Sequence, residues 1–139
     1  MKKLTITILL IITGMSVAGC SMMGRTKPPS LLGKWSGTIQ NGMDVTITFN
    51  EDMTATITLS GDQQMDIEAK YKVDYSTTPV SIDIYDMTTP QGSGASLTGI
   101  IEFRESTTMV MQGNFSMTGK AERPTSFTGE AVTYTRVAQ

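Results

Sequence analysis

The stretch Met65-Asp66-Ile67-Glu68-Ala69-Lys70-Tyr71-Lys72-Val73-Asp74 alternates apolar and charged side chains along its whole length. Successive side chains of a β-strand point to opposite faces of the sheet, so this spacing predicts a strand with one buried and one solvated face. A strand of this kind is typical of an antiparallel sheet that covers a single apolar core.

Two stretches upstream repeat the alternation. Met43–Phe49 and Met53–Leu59 carry apolar residues at every second position, mostly with threonine between them. The dipeptide Asn41-Gly42 precedes the first stretch and predicts a type I′ hairpin turn, because both residues tolerate positive φ. Gly61-Asp62 predicts the next turn. These signals indicate sequential hairpins.

The whole domain is predicted to contain about eight strands. The segment Asp86–Ser96, rich in Gly, Ser and Pro, predicts the longest loop and a lid over one end. Short turns between strands that are polar on one face predict an all-β, up-and-down antiparallel barrel, and a β-sandwich is the alternative because pattern alone does not show closure. The remaining predicted strands are Lys34–Gln40, one through Val80, Ile82 and Ile84, Leu97–Phe103, Thr108–Phe115 and Phe127–Val137.

The N-terminal segment carries a leader-like pattern. Lys2 and Lys3 precede an apolar run that is too short to span a bilayer, and the run leads to Val17-Ala18-Gly19-Cys20. This arrangement resembles the lipobox of bacterial lipoproteins. The resemblance implies cleavage between Gly19 and Cys20, acylation of Cys20 by chains such as palmitate, and stable anchoring on a membrane.

The expected organisation has three parts. Residues 1–19 form a signal peptide, residues 20–31 form an acylated cysteine and tether, and residues 32–139 form the barrel. Pro28-Pro29 favours an extended tether with a reach of roughly 35 Å. Ser21 follows the cysteine, which by resemblance to enterobacterial sorting rules favours the outer membrane, on its periplasm-facing side.

Composition limits the function of this domain. The chain of 139 residues has a net charge of −2, or −4 without Lys2 and Lys3, so nucleic acid is an unfavourable partner. It contains no histidine and a single cysteine, which the lipid would occupy. The usual general base and nucleophile are therefore missing, and we expect a non-enzyme that needs no cofactor or metal.

A resemblance to a known fold family rests on the order of several short motifs. Leu32-Gly33-Lys34-Trp35 is similar to the opening of lipocalin-like barrels, and Tyr71-Lys72-Val73-Asp74, Pro79, Ile82-Asp83-Ile84 and Arg123-Pro124-Thr125 follow in the order of a small lipocalin-like domain of bacterial envelope proteins. The resemblance covers Leu32 to about Glu130. It implies that Trp35 plugs one end of the barrel beneath an arginine in a cation–π contact. Arg136 is the first candidate for this arginine, and Arg123, which we expect to anchor the turn before the last strand, is the second.

Two classes of function remain open. The first is a barrel that binds a small apolar or amphipathic ligand in an interior cavity. The second is a protein-interaction module, for assembly or inhibition in the envelope. Cu(I) binding through Met109 and Met111 is a minor alternative, because thioether sulfur suits that ion. The expected cavity residues are Phe49, Tyr71, Phe103, Met109, Met111 and Phe115.

The lipid anchor makes a direct prediction. We expect the mature protein from its own host to partition into the detergent phase, because several acyl chains hold a protein on a bilayer. Cys20→Ala is expected to give an uncleaved or soluble form. Partitioning of the wild-type protein into the aqueous phase would contradict the anchor.

Overall fold

A computed structural model describes residues 29–139. Its eight strands follow one another around a closed barrel in chain order, each antiparallel to the next, and β8 returns to pair with β1. The predicted all-β up-and-down barrel is thus confirmed over the sandwich. The strands are β1 Gly33–Thr38, β2 Asp44–Phe49, β3 Thr54–Ser60, β4 Gln64–Asp74, β5 Val80–Thr89, β6 Gly92–Glu105, β7 Thr108–Ser116 and β8 Val132–Arg136.

The predicted alternation of β4 is confirmed. Ile67, Ala69 and Tyr71 are buried inside the barrel, whereas the charged residues between them are exposed. The register continues into β3, where Ala55 faces Ala69 and Ile57 faces Ile67. The period of two in the sequence therefore becomes the inner and outer faces of one wall.

The two ends of the barrel are made by different sets of turns. One end of the barrel carries Trp35, and we name it the closed end. It is made by the first described residues, the turns 50–53, 75–79 and 106–107, and the C-terminal residues. The loops 39–43, 61–63 and 90–91 lie at the opposite end, which we name the open end. Because the strands run up and down, every second connection belongs to the same end.

The prediction of a long loop over Asp86–Ser96 is wrong. β5 extends to Thr89 and β6 begins at Gly92, so this segment is a hairpin and not a lid. The register shifts between Ile84 and Thr88, and Asp86 has a φ of 52°. Such a bulge adds a residue to one strand and interrupts the alternation, which is why the pattern did not indicate a strand.

The prediction of a last strand from Phe127 to Val137 is also wrong in its first half. β8 begins only at Val132, and residues 117–131 cross the outer surface of the barrel. We name this segment the strap. Ile100 and Val110 lie on the outer faces of β6 and β7, outside the main core cluster, and both are buried.

Two smaller expectations are corrected. Asn41-Gly42 does not form a two-residue type I′ turn, because it lies in the five-residue loop 39–43 and only Gly42 has positive φ there, at 81°. Leu31, assigned to the tether, is only 2% exposed and belongs to the core. The calls on Gly19, Cys20 and the rest of the leader lie outside the described residues.

Candidate functional site

The closed end is built around Trp35, which is fully buried. Its indole Nε1 donates to the carbonyl of Leu31 at 2.8 Å, and its ring lies 6.1 Å from that of Phe103. Trp35 and Arg136 are opposite partners in the β1–β8 pairing. The only tryptophan of the chain therefore lies at the seam where the barrel closes.

Arg136 covers the Trp35 ring, with its guanidinium carbon 4.2 Å from the ring centroid. Its nitrogens also donate to the carbonyls of Leu32, Ser30 and Ser106. One side chain thus ties the first described residues and the β6–β7 turn to β8. A cation over an indole face contributes about 0.5–2 kcal/mol, and the guanidinium fork directs several bonds at once. This geometry is that of a structural clamp.

Aromatic packing fills the rest of the closed end. Phe49 and Tyr71 meet edge to face, with ring centroids 4.9 Å apart, and the Tyr71 hydroxyl donates to the carbonyl of Asn50 at 2.8 Å. Burial raises the pKa of Tyr71. Met109 is fully buried. Large rings and a thioether thus occupy the space that could otherwise hold a ligand.

An apolar cavity of about 280 Å³ lies toward the open end. Its walls come from eight aliphatic side chains, two methionines, Phe115 and Tyr134. Phe115 is 53% exposed, so the cavity reaches the surface of the barrel at that side chain. The lining residues are Ile39, Val45, Ile47, Ile57, Leu59, Ile67, Ile84, Met87, Leu97, Met111, Phe115 and Tyr134.

The six expected cavity residues divide between the two ends. Met111 and Phe115 line the cavity. Phe49, Tyr71, Phe103 and Met109 do not line it, and the first three make the aromatic contacts of the closed end. Met109 and Met111 therefore do not both face the cavity that a small ligand would occupy.

Sequence reasoning missed most of the aliphatic lining. The alternation identified several lining residues only as inward-facing, namely Ile47, Ile57, Ile67 and Ile84. An inward-facing position does not tell how far along the barrel axis the side chain lies. Aromatic size was the signal used instead, and it selected the side chains that close the barrel. Tyr134 also lines the cavity, and burial raises its pKa to about 12.

Arg123 lies away from the cavity, in the strap on the outer wall. Its guanidinium donates to the carbonyls of Ile82 and Gly99 at 3.0 and 2.6 Å, and to the Asp83 carboxylate at 2.7 Å. The ion pair is only about a quarter exposed, and Lys120 lies 3.8 Å from the same carboxylate. These bonds fasten the strap to β5 and β6.

Acidic side chains of the turns make local bonds. Asp74 accepts from the backbone N–H and the hydroxyl of Ser76, and these bonds lower its pKa. Asp52 makes the corresponding bonds with Thr54, which lower its pKa in the same way. Hydrogen bonds to the charged form stabilise it, so these carboxylates behave as turn residues.

Residues 29–139 lack two kinds of feature. This part of the chain holds no group of three or more His, Cys, Asp and Glu side chains arranged for a metal ion. Nor does it contain a helix with the length and hydropathy to span a membrane.

No protein-family model, curated protein or solved structure matches this chain.

The Arg136 clamp predicts a stability effect. Arg136→Lys keeps the charge but loses the planar fork that reaches three carbonyls and covers Trp35, so we expect a loss of about 2 kcal/mol in the free energy of unfolding. Urea unfolding measures it. Arg104→Lys is the matched control, because Arg104 is exposed and 3.7 Å from Glu102, and its cost should stay within about 0.5 kcal/mol. An equal loss in the free energy of unfolding for both variants would contradict the structural role of Arg136.

The raised pKa of Tyr134 predicts a pH effect. The folded state holds this proton up to about pH 12, whereas an unfolded tyrosine releases it near ~10. Stability from this group is therefore complete below pH ~10 and declines as pH rises toward the folded value. Between pH ~8 and pH ~11, we expect the free energy of unfolding of Tyr134→Phe to fall by about 1 kcal/mol less than that of the wild type.

Tyr85→Phe is the control for this measurement, because Tyr85 is an exposed tyrosine on the outer wall. It should retain the wild-type dependence on pH. A Tyr134→Phe profile that is parallel to the wild-type profile would show that burial of this phenol does not contribute.

Proposed function

We propose that this chain is a membrane-anchored envelope protein whose barrel binds a small apolar molecule or a single acyl chain, without catalysis. The observation that carries the binding function is the apolar cavity of about 280 Å³ inside the open end. The lipobox-like residues before Cys20 support the anchor. The order of the lipocalin-like motifs supports ligand carriage by analogy of fold.

Volume limits the class of ligand. Sites for drug-sized ligands begin near ~300 Å³, and an engineered cavity of ~150 Å³ accepts benzene. The cavity lies between these values, so it suits one chain of medium length or a small ring. A two-chain phospholipid needs more space, and the volume argues against it.

The lining favours binding and not chemistry. Eleven of the twelve lining side chains are hydrocarbon or thioether, and the twelfth, Tyr134, carries a phenol that is uncharged at neutral pH and whose pKa burial raises further. An apolar molecule gains about 25 cal/mol for each Å² of its surface that leaves water in such a site. Affinity would therefore come from burial.

A protein-interaction function has one observation in its favour. Met53 and Tyr75 are more than 40% exposed at the closed end, where they line a depression of about 510 Å³ with Leu31 and Leu32. Exposed aromatic and methionine side chains are enriched at protein interfaces. We retain contact with an envelope protein at this depression as the second candidate.

Filling the cavity tests the binding function. Ile67→Phe places a ring in the cavity, and we expect it to weaken binding of the apolar fluorophore N-phenylnaphthylamine by more than about tenfold. Glu68→Phe adds the same ring on the solvated face of β4 and should leave this binding unchanged. Thermal melting checks that both variants are folded. Failure of the folded wild-type protein to bind any small apolar probe would exclude the function.

A further inference from the structure

The wall of the barrel has an opening at its seam. β8 has five residues and pairs with only Thr108–Met111 of β7 and Trp35–Gly37 of β1. The upper part of β7 therefore runs beyond the start of β8. A depression of about 420 Å³ lies there, and its lining includes Gln40, Asn41, Gln112, Gly113 and Glu130. We name it the side notch.

The side notch meets the interior cavity. Ile39, Leu97, Met111 and Tyr134 line both spaces. At their junction Leu97 folds over Gly113, where an added Cβ would overlap the Leu97 side chain. Glycine at 113 thus provides the room in which the Leu97 side chain packs where the two spaces meet.

Polar groups at the rim are held in place by the returning strap. The Gln40 amide donates to the carbonyl of Gly129 at 2.9 Å. Gln112 makes two bonds with Thr128, donating to its hydroxyl at 3.0 Å and accepting from its backbone N–H at 2.7 Å. The strap residues beside the notch are therefore fixed relative to the loop 39–43 and to β7.

Charge in the notch has one sign. Among the described residues that line it, Glu130 is the charged side chain, and the other polar side chains are the amides of Gln40, Asn41 and Gln112 and the phenol of Tyr134. A carboxylate head placed here would meet the Glu130 carboxylate without a lysine or arginine of the lining to offset the repulsion. An alcohol, amide or ammonium head can instead donate a hydrogen bond to that carboxylate.

From this arrangement we infer that the ligand is a single-chain amphiphile with an uncharged or positively charged head. The inference rests on the proposed binding function. The chain fills the cavity and the head lies in the side notch, within reach of Glu130. A free fatty acid is disfavoured, although it has the same chain.

The experiment compares probes that share one chain and differ in the head. Decanoic acid, decanol and decylamine are each titrated against N-phenylnaphthylamine bound to the folded wild-type protein at neutral pH, and the displacement of the fluorophore is measured. We expect decanol and decylamine to bind more tightly than decanoate. Glu130→Gln should strengthen decanoate binding relative to decanol by about two- to fivefold, which is the range for one exposed charge.

Glu122→Gln is the matched control, because Glu122 is exposed on the strap, lies outside the notch lining, and bonds to Asn114 only through its carbonyl. It changes the net charge equally and should leave the preference between heads unchanged. Decanoate binding as tight as decanol binding, or equal effects of the two variants, would overturn the inference.

Displacement by decane separates this inference from the proposed function. Decane has no head, so its binding reports on the cavity alone. Decane binding without discrimination among heads would remove the role of the notch and leave the cavity function intact. Failure of decane and of every headed probe to bind would remove both.

Discussion

The fold depends on the pairing of β1 with β8. A sheet of eight strands leaves two edges with unpaired N–H and C=O groups until the first and last strands meet. Here only three residues of each strand form the pairing, Trp35–Gly37 with Tyr134–Arg136. So short a seam is strengthened by side chains. Arg136 stacks on Trp35 and holds carbonyls from two other segments, and Gly37 allows close approach, since a Cβ there would lie 2.8 Å from the carbonyl oxygen of Thr133.

The interior of the barrel has two regions. Where β8 is present, near the closed end, aromatic side chains from several strands fill the barrel. Toward the open end the lining is mostly aliphatic and a cavity remains, with Tyr134 of β8 in its wall, and β8 begins short of the end of β7. An eight-stranded barrel is just wide enough for side chains to fill, so the sizes of the inward residues at each height decide whether it is solid or hollow.

Much of the fold could be predicted from the sequence, and the site only in part. Alternation identified the inward residues of β2, β3 and β4, since a period of two specifies the face of a strand. It failed at the bulge around Asp86 and in the strap, where Phe127 was assigned to a strand. Cavity residues were harder to identify because height along the axis depends on the stagger between strands, which alternation does not record. Phe103 and Phe115 both lie on inner positions of neighbouring strands, yet one packs on Trp35 and the other lies at the opening.

The strap links a distant ion pair to the proposed site. Arg123 fastens the middle of the strap to β5 and β6, through two carbonyls and the Asp83 carboxylate, on the outer wall. From there the chain returns across β7, where Thr128 bonds Gln112, and reaches the rim of the notch, where Gly129 bonds Gln40. A partly buried arginine with several acceptors is costly to leave unpaired, so the strap has one strongly preferred position. The position of Glu130 follows from it, because that residue lies between the Gln40 contact and the start of β8. The residue that sets the charge of the notch is therefore placed by the bonds of the strap with Asp83, Gln112 and Gln40, and not by the packing of the cavity itself.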